Sequence, residues 1–449
     1  MERTTSYCRI CAAGCGIIVT TDGVQVVGVE GDVDHPTSHG YLCAKGRGLA
    51  EWHHRPDRLD VPRLRGRTAT WDETLDDLAS ALREVRAAAS PDAIALYLAT
   101  GLAYDAAGQM IAPTWLKSIG SRSVLSAATV DNAPALVAAE MVTGNAMVNP
   151  AWDPHAGGLL LIVGSNPVVS HGYGTALPDP ITYLRQHRAN GGRLWVVDPR
   201  ATETAHQADE HLQVVPGTDV ALLATLAAAL LADVSEIPGC TADDLATLRA
   251  LLDGWTIERA AAVTGVDVEL VDALVRDVLD HRGRTAVMCG TGAQMSRDGL
   301  LIEWLRWIVL ILSGSLEQPG GMRFIHGIFG PPVAPATHET RSKPGPASRP
   351  ELPRVIDQIP VVALVDEIES GNIRALIVTG GNLLTAAPDP QRMARALQSL
   401  DVLAVLDVVD GPMSELATHV LPATGQLERA DFQLSINYAM RPAVQSTPA

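Results

Sequence analysis

Cysteine is scarce in this sequence, with six in 449 residues. A chain of that length has room for two or three domains, buries a large apolar core and needs no disulfide staples. Positive charge is short as well: 34 Lys and Arg face 51 Asp and Glu, for a formal net charge of −17. That balance argues against a nucleic-acid partner, because binding a phosphate backbone requires a basic face. The opening residues "MERTTSYCRIC" hold neither an apolar export segment nor a twin arginine ahead of one, so a cytoplasmic location is expected. The most apolar window, "LLIEWLRWIVLILSGSL" at 300–316, is too short for a bilayer and carries Glu303 and Arg306. It reads as a buried amphipathic helix, and no membrane span is expected. The sequence also lacks a short fixed-period repeat and a G-x-G-x-x-G fingerprint.

What cysteine there is lies clustered. Cys8, Cys11, Cys15 and Cys43 fall in the first tenth of the chain, with Cys240 and Cys289 standing singly far downstream. Their spacing is C-x2-C-x3-C-x27-C. A zinc ribbon uses two facing C-x-x-C knuckles. Three thiols on one tight loop and a distant fourth suit instead a [4Fe–4S] cubane, which takes one sulfur per iron. Gly14 and Gly16 flank Cys15 and let the loop curl. Lys45, two residues past Cys43, is either a solvated lysine or a cation between the cluster and a second, anionic group.

Residues 1 to about 60 read as a small β-rich module, with "GIIVTT" and "VQVVGVEG" joined by the turn signal Asp22-Gly23. From "WDETLDDLASALREVRAAA" onward, helical periodicity alternates with short apolar runs, the pattern of an α/β protein with parallel sheets. Those runs end alike: in Gly164, Ser165 and Asn166; in Asp198, Pro199 and Arg200; in Gly290, Thr291 and Gly292; and in Gly380, Gly381 and Asn382. A further run carries Asp407 and Asp410. Open α/β sheets bind ligands at the carboxyl ends of their strands, where glycine permits close approach and a helix start offers amides to phosphate. Any one such end is ordinary loop chemistry. Repeated, they point to an extended, phosphate-bearing ligand. The proline-rich stretch 331–360 reads as an interdomain connection or a surface loop.

Five stretches together resemble the molybdenum or tungsten bis-pterin oxidoreductases, the family of formate dehydrogenases, nitrate reductases and dimethyl sulfoxide reductase. They are "YCRICAAGCG" with "GYLCAKGRG", "LLIVGSNPVVSHG", "WVVDPRATETAHQADEHLQVVPGTDVALL", "IRALIVTGGNLL" and "LATHVLPATGQLE". The resemblance implies a small β-rich iron–sulfur domain (1–61) and two interleaved, doubly wound, Rossmann-like parallel-sheet domains. One would comprise 62–126 with 335–436 and the other 127–334, each holding one molybdopterin guanine dinucleotide. It also implies a cluster on Cys8, Cys11, Cys15 and Cys43, with Lys45 coupling it to the pterin. Gly164, Ser165, Asn166 and His171 would lie along one cofactor. Asp198, Pro199, Arg200, Gly217 and Asp219 would form its guanosine pocket. Gly290 and Gly292 complete that half, and Gly380, Gly381 and Asn382 match the strand end of the other.

The segment "SAATVDNAPALVAAEMVTGN" resembles the one that presents the metal ligand, three residues before a proline. That position is Asp131, with Pro134 following; the alternative is that Asp131 caps the next helix. Asn132 after it departs from the Cys-His or selenocysteine-His of formate dehydrogenases. The family continues into a closing β-barrel domain, which residues 437–449 do not supply; either the sequence is a truncated or split protein, or a separate closing domain is supplied elsewhere. The implied function couples two-electron, metal-centred chemistry on a small substrate to single-electron transfer through the cluster to a redox partner protein or subunit. Alternatives are a formate dehydrogenase-like or thiosulfate-type enzyme with another metal ligand, or a non-catalytic iron–sulfur electron carrier.

Overall fold

The computed structural model describes residues 1–172, 177–324, 344–433 and 445–449. Residues 331–343 of the proline-rich stretch lie outside the described residues, as do 434–444, which bracket the expected boundary near 436. The chain divides into two compact units, one formed by 1–132, 344–433 and 445–449 and the other by 133–172 and 177–324.

The first unit opens with three antiparallel strands, β1 (Glu2–Tyr7), β2 (Gly16–Asp22) and β3 (Gln25–Gly31), in the order β1-β2-β3. Asp22 and Gly23 turn the chain between β2 and β3, with Gly23 at φ +59°. Ile17, Val19, Val26, Leu42 and Leu49 form the core of this module. The short β4 (Arg63–Leu64) and β5 (Arg67–Thr68) lead to a helix, Trp71–Ala88. Thr70 and Glu73 begin that helix with a reciprocal capping box, and Leu78, Leu82 and Val85 are its buried stripe. Then follow β6 (Ile94–Leu98) and β7 (Ser123–Ser126).

The second unit pairs β8 (Pro150–Trp152) with a later β13 (Met322–Phe324) and builds a four-stranded parallel sheet. Its strands are β9 (Leu159–Val163), β10 (Arg193–Val197), β11 (Glu210–Leu212) and β12 (Thr285–Cys289), in the order β11-β10-β9-β12. β9 and β12 are buried along their whole length, which explains their unbroken apolar sequences. The apolar window at 300–316 is the helix Gly299–Leu312, packed against the helices Ala133–Thr143 and Asp219–Leu231. Its two charges satisfy each other inside the core: Arg306 Nε donates to Glu303 at 2.8 Å, and Gln294 donates to the other carboxylate oxygen at 2.8 Å.

Back in the first unit, β14 (Ala375–Thr379), β15 (Val402–Asp407) and β16 (His419–Pro422) complete a seven-stranded sheet, β5-β4-β16-β15-β14-β6-β7. Its five longer strands run parallel. The chain is thus an α/β protein with a β-rich N-terminal module and two parallel sheets. Last comes a small antiparallel pair, β17 (Asp431–Phe432) and β18 (Ser446–Thr447).

Candidate functional site

Three of the clustered cysteines sit on the loop that joins β1 to β2. Tyr7 pairs with Gly16, the Cys8 amide donates to the Cys15 carbonyl at 2.8 Å, and the loop between is a closed hairpin end. Cys43 stands at the start of the one-turn helix Ala44–Arg47. All four thiols are free, and each is buried or half-buried. Burial pushes the Cys8 thiol up to about 12, with Cys11 and Cys43 adding to the rise and Lys45 opposing it. Burial raises Cys15 further, reinforced by Cys8, Cys11 and Cys43. The four sulfurs therefore lie within one another's field, and buried thiolates there call for a cationic group to neutralise them. Among the described residues no three His, Cys, Asp or Glu side chains gather tightly enough to hold a single metal ion. A cubane, with one thiolate on each iron, asks for the wider arrangement. Lys45 is exposed and makes no ion pair among the described residues.

Three glutamines hold this loop, and nothing in the sequence announced them. Gln426 accepts from the Arg9 amide at 2.8 Å, Gln433 donates to the Ala12 carbonyl at 3.4 Å, and Gln445 donates to the Gly14 carbonyl at 2.8 Å. Arg9 lies over the Tyr7 ring and pairs with Asp431 in a buried contact of 3.4 Å.

In both parallel sheets the strand order reverses at one place. In the second unit this falls between β9 and β12, and in the first between β6 and β14. Such a switch point opens a crevice at the strand ends. In the second unit, Gly164 follows β9 at φ +58°, and the Gly292 amide donates to its carbonyl at 3.0 Å. A Cβ at Gly290 would stand 2.5 Å from the Ser165 side chain. In the first unit, Gly380 follows β14 at φ +64°, and a Cβ at Gly101 would lie 3.1 Å from its carbonyl oxygen. Gly101 escaped the sequence reading because it lies in a 3-10 turn with no apolar run to frame it.

The chain matches one family in two parts. The description "Molybdopterin oxidoreductase" fits residues 58–449, and "Molybdopterin oxidoreductase Fe4S4 domain" fits residues 1–54. The chain belongs to the molybdopterin oxidoreductase family. The cofactors of these domains are a [4Fe–4S] cluster and a molybdenum or tungsten bis-molybdopterin guanine dinucleotide. Four free thiols, two buried and two half-buried, fit the first, and two glycine-lined switch points fit the second.

The chain is 26 % identical to the alpha subunit of a formate dehydrogenase from Methanocaldococcus jannaschii, over 94 % of this chain and 64 % of that protein. It is 26 % identical to a nitrate reductase from Shewanella frigidimarina, over 96 % of this chain and 48 % of that protein. In fold it resembles acetylene hydratase from Pelobacter acetylenicus, with a TM-score of 0.80 at 16 % identity, over 96 % of this chain and 64 % of that one. The chain thus spans about half to two thirds of the length of these relatives.

Around this family framework the remaining candidates take their places. Asn166 accepts from the Thr204 amide (3.2 Å) and hydroxyl (2.7 Å) and donates to Glu203 at 2.8 Å, so its side chain fastens the loop after β9 to the loop after β10. His171 ends the turn Pro167–Ser170 in the left-handed region, φ 63°, and is buried. Asp198 and Asp219 are both buried and close enough for one to raise the other's pKa; burial is the larger cause for Asp219. Pro199, Arg200 and Gly217 are on the loops beside them, Arg200 and Gly217 exposed. Gly381 follows Gly380, and Asn382 caps the turn Leu383–Ala386 by accepting from the Leu384 amide at 3.0 Å. Asp410 is engaged by Arg63 at 2.9 Å.

Asp131 is the last residue of the short helix Ala128–Asp131, so it does not cap a helix start as the alternative reading had it. Burial pushes its carboxyl above the usual range, with its own amide opposing. Tyr97 on β6 lies within its field. Among the described residues its carboxylate has no side-chain partner, and no helix among them is long and apolar enough to cross a membrane.

Proposed function

We propose that this chain is the cofactor-binding part of a cytoplasmic molybdopterin-dependent oxidoreductase that acts on a small substrate and exchanges single electrons with a partner protein or subunit. The observation that supports it most is the doubled switch point: each unit offers one glycine-lined crevice, which suits one dinucleotide per unit. When bound, the metal supplies two-electron redox chemistry and the cluster single-electron steps.

The chain's own residues have the following parts. Cys8, Cys11, Cys15 and Cys43 hold the cluster, and Lys45 gives a positive charge beside it. Gly164, Ser165, Asn166, His171, Gly290 and Gly292 shape one crevice; Gly380, Gly381 and Asn382 shape the other. Asp198 and Asp219 accept hydrogen bonds from guanosine, and Arg200 pairs with phosphate, the loops of Pro199 and Gly217 bringing the backbone close. Asp131, whose carboxylate has no side-chain partner among the described residues, is the metal ligand. The formate dehydrogenase among the relatives supports a second reading, formate oxidation with a different ligand.

Acid hydrolysis, metal analysis and electron paramagnetic resonance of the purified protein test the assignment. Roughly two GMP, one molybdenum or tungsten and four iron per chain are expected. Iron without GMP would reduce the protein to an electron carrier. An Asp131→Ala variant with an unaltered metal spectrum would favour the second reading.

A further inference from the structure

The loop after β10 leaves the sheet abruptly. The Asp198 amide donates to the Leu212 carbonyl at 3.2 Å, continuing the β10–β11 ladder by one bond, and the carbonyls of Asp198 and Pro199 then run beyond the backbone donors of β11. Side chains take over. His211 Nε2 donates to the Asp198 carbonyl at 2.8 Å, and Gln213 Nε2 donates to the Pro199 carbonyl at 2.9 Å. A carbonyl only accepts, so the His211 ring carries a proton on that nitrogen. His211 lies on β11 and Gln213 one residue past its end, and the pair extends the ladder with side chains where its backbone pairing has ended. Asp198 Oδ1 in turn accepts from the Arg200 amide at 2.9 Å, which bends the loop back on itself.

We infer that His211 and Gln213 are positioning residues that set the height and direction of the Asp198–Arg200 loop and thereby the preference of the pocket for guanosine. The inference rests on the guanosine placement proposed above. Guanine presents N–H donors that a carboxylate accepts, whereas adenine has no donor at its N1, so selectivity depends on where the carboxylate points. Neither His211 nor Gln213 has to touch the nucleotide. A loosened loop loses discrimination between bases before it loses affinity for phosphate.

Calorimetric titration of the full chain, freed of bound nucleotide, with GDP and with ADP tests this. The wild type prefers GDP. Gln213→Glu, which keeps the shape but removes the donor, and His211→Leu each lower that preference about tenfold, chiefly by weakening GDP. His211→Gln, whose amide still donates, retains most of it. Gln213 is exposed, so Gln213→Glu decides the matter should His211→Leu fail to fold. A preference unchanged in Gln213→Glu, or an equal loss for GDP and ADP, overturns the positioning role. A wild type that binds neither nucleotide and yields no GMP overturns the guanosine placement, and the positioning role with it.

Discussion

The Gly292 amide and the Gly164 carbonyl, 3.0 Å apart, fasten the loops after β12 and β9 backbone to backbone where the strand order reverses. A Cβ at residue 164 would stand 2.4 Å from the Ala293 amide nitrogen, in backbone at φ +58°. Gly164→Ala is therefore expected to cost about 1–3 kcal/mol and to lower the GMP content of the purified protein. Urea denaturation with GMP analysis checks both; a variant as stable and as loaded as the wild type would mean the loops part freely.

Glu303 and Arg306 are a buried pair with side chains 1 % and 4 % exposed. Replacing the acid alone leaves a cation in the core. Glu303→Gln is expected to destabilise the protein by about 3–5 kcal/mol, a double change of both residues to well-packed apolar ones by much less. Chemical denaturation of the single and double variants compares them.

Asp219 is held above the usual carboxylate range chiefly by burial. In the unfolded chain it ionises near 3.8, so the penalty for its charge is absent below that pH and grows as pH rises through the folded value. Asp219→Asn should thus unfold at a higher temperature than the wild type at pH 7, with the gain vanishing near pH 4. The same variant should bind guanine nucleotide more weakly. Melting curves across that pH range decide; a gain that persists at pH 4 would refute burial of the charge as its cause.

Gln445 donates to the Gly14 carbonyl in the middle of the cysteine loop. Gln445→Ala is expected to leave all four thiols in place yet to speed release of cluster iron to a chelator several-fold. Absorbance at visible wavelengths during chelation follows the loss, and Cys43→Ala, which removes one of the four proposed ligands, gives the upper bound.

The fold was legible where sequence and structure are both local. The turn at Asp22-Gly23, the apolar run that became Gly299–Leu312 and the strands that end at Gly164, Asp198, Gly290 and Gly380 each carry a periodicity or a breaker that a short window contains. The three glutamines on the cysteine loop, the grip of Thr204 and Glu203 on Asn166 and the approach of Gly101 to Gly380 left no such trace. A single polar residue makes a long-range hydrogen bond without any periodic neighbour to mark it, and it acquires its partner only when the sheet has assembled. Asp131 was open to two readings because a carboxylate before a helix serves as cap or ligand alike; the backbone removed the first by ending a helix there.

The hold of Gln445 on Gly14 also has a consequence in time. The two residues are 431 positions apart, and at ordinary synthesis rates the second follows the first by on the order of 20–90 s. The cysteine hairpin therefore emerges from the ribosome long before its last fastening exists. A cluster placed in it during that interval would sit in an unlatched loop, open to oxygen and to competing thiols. The connectivity favours loading after translation, by a donor that meets the finished chain.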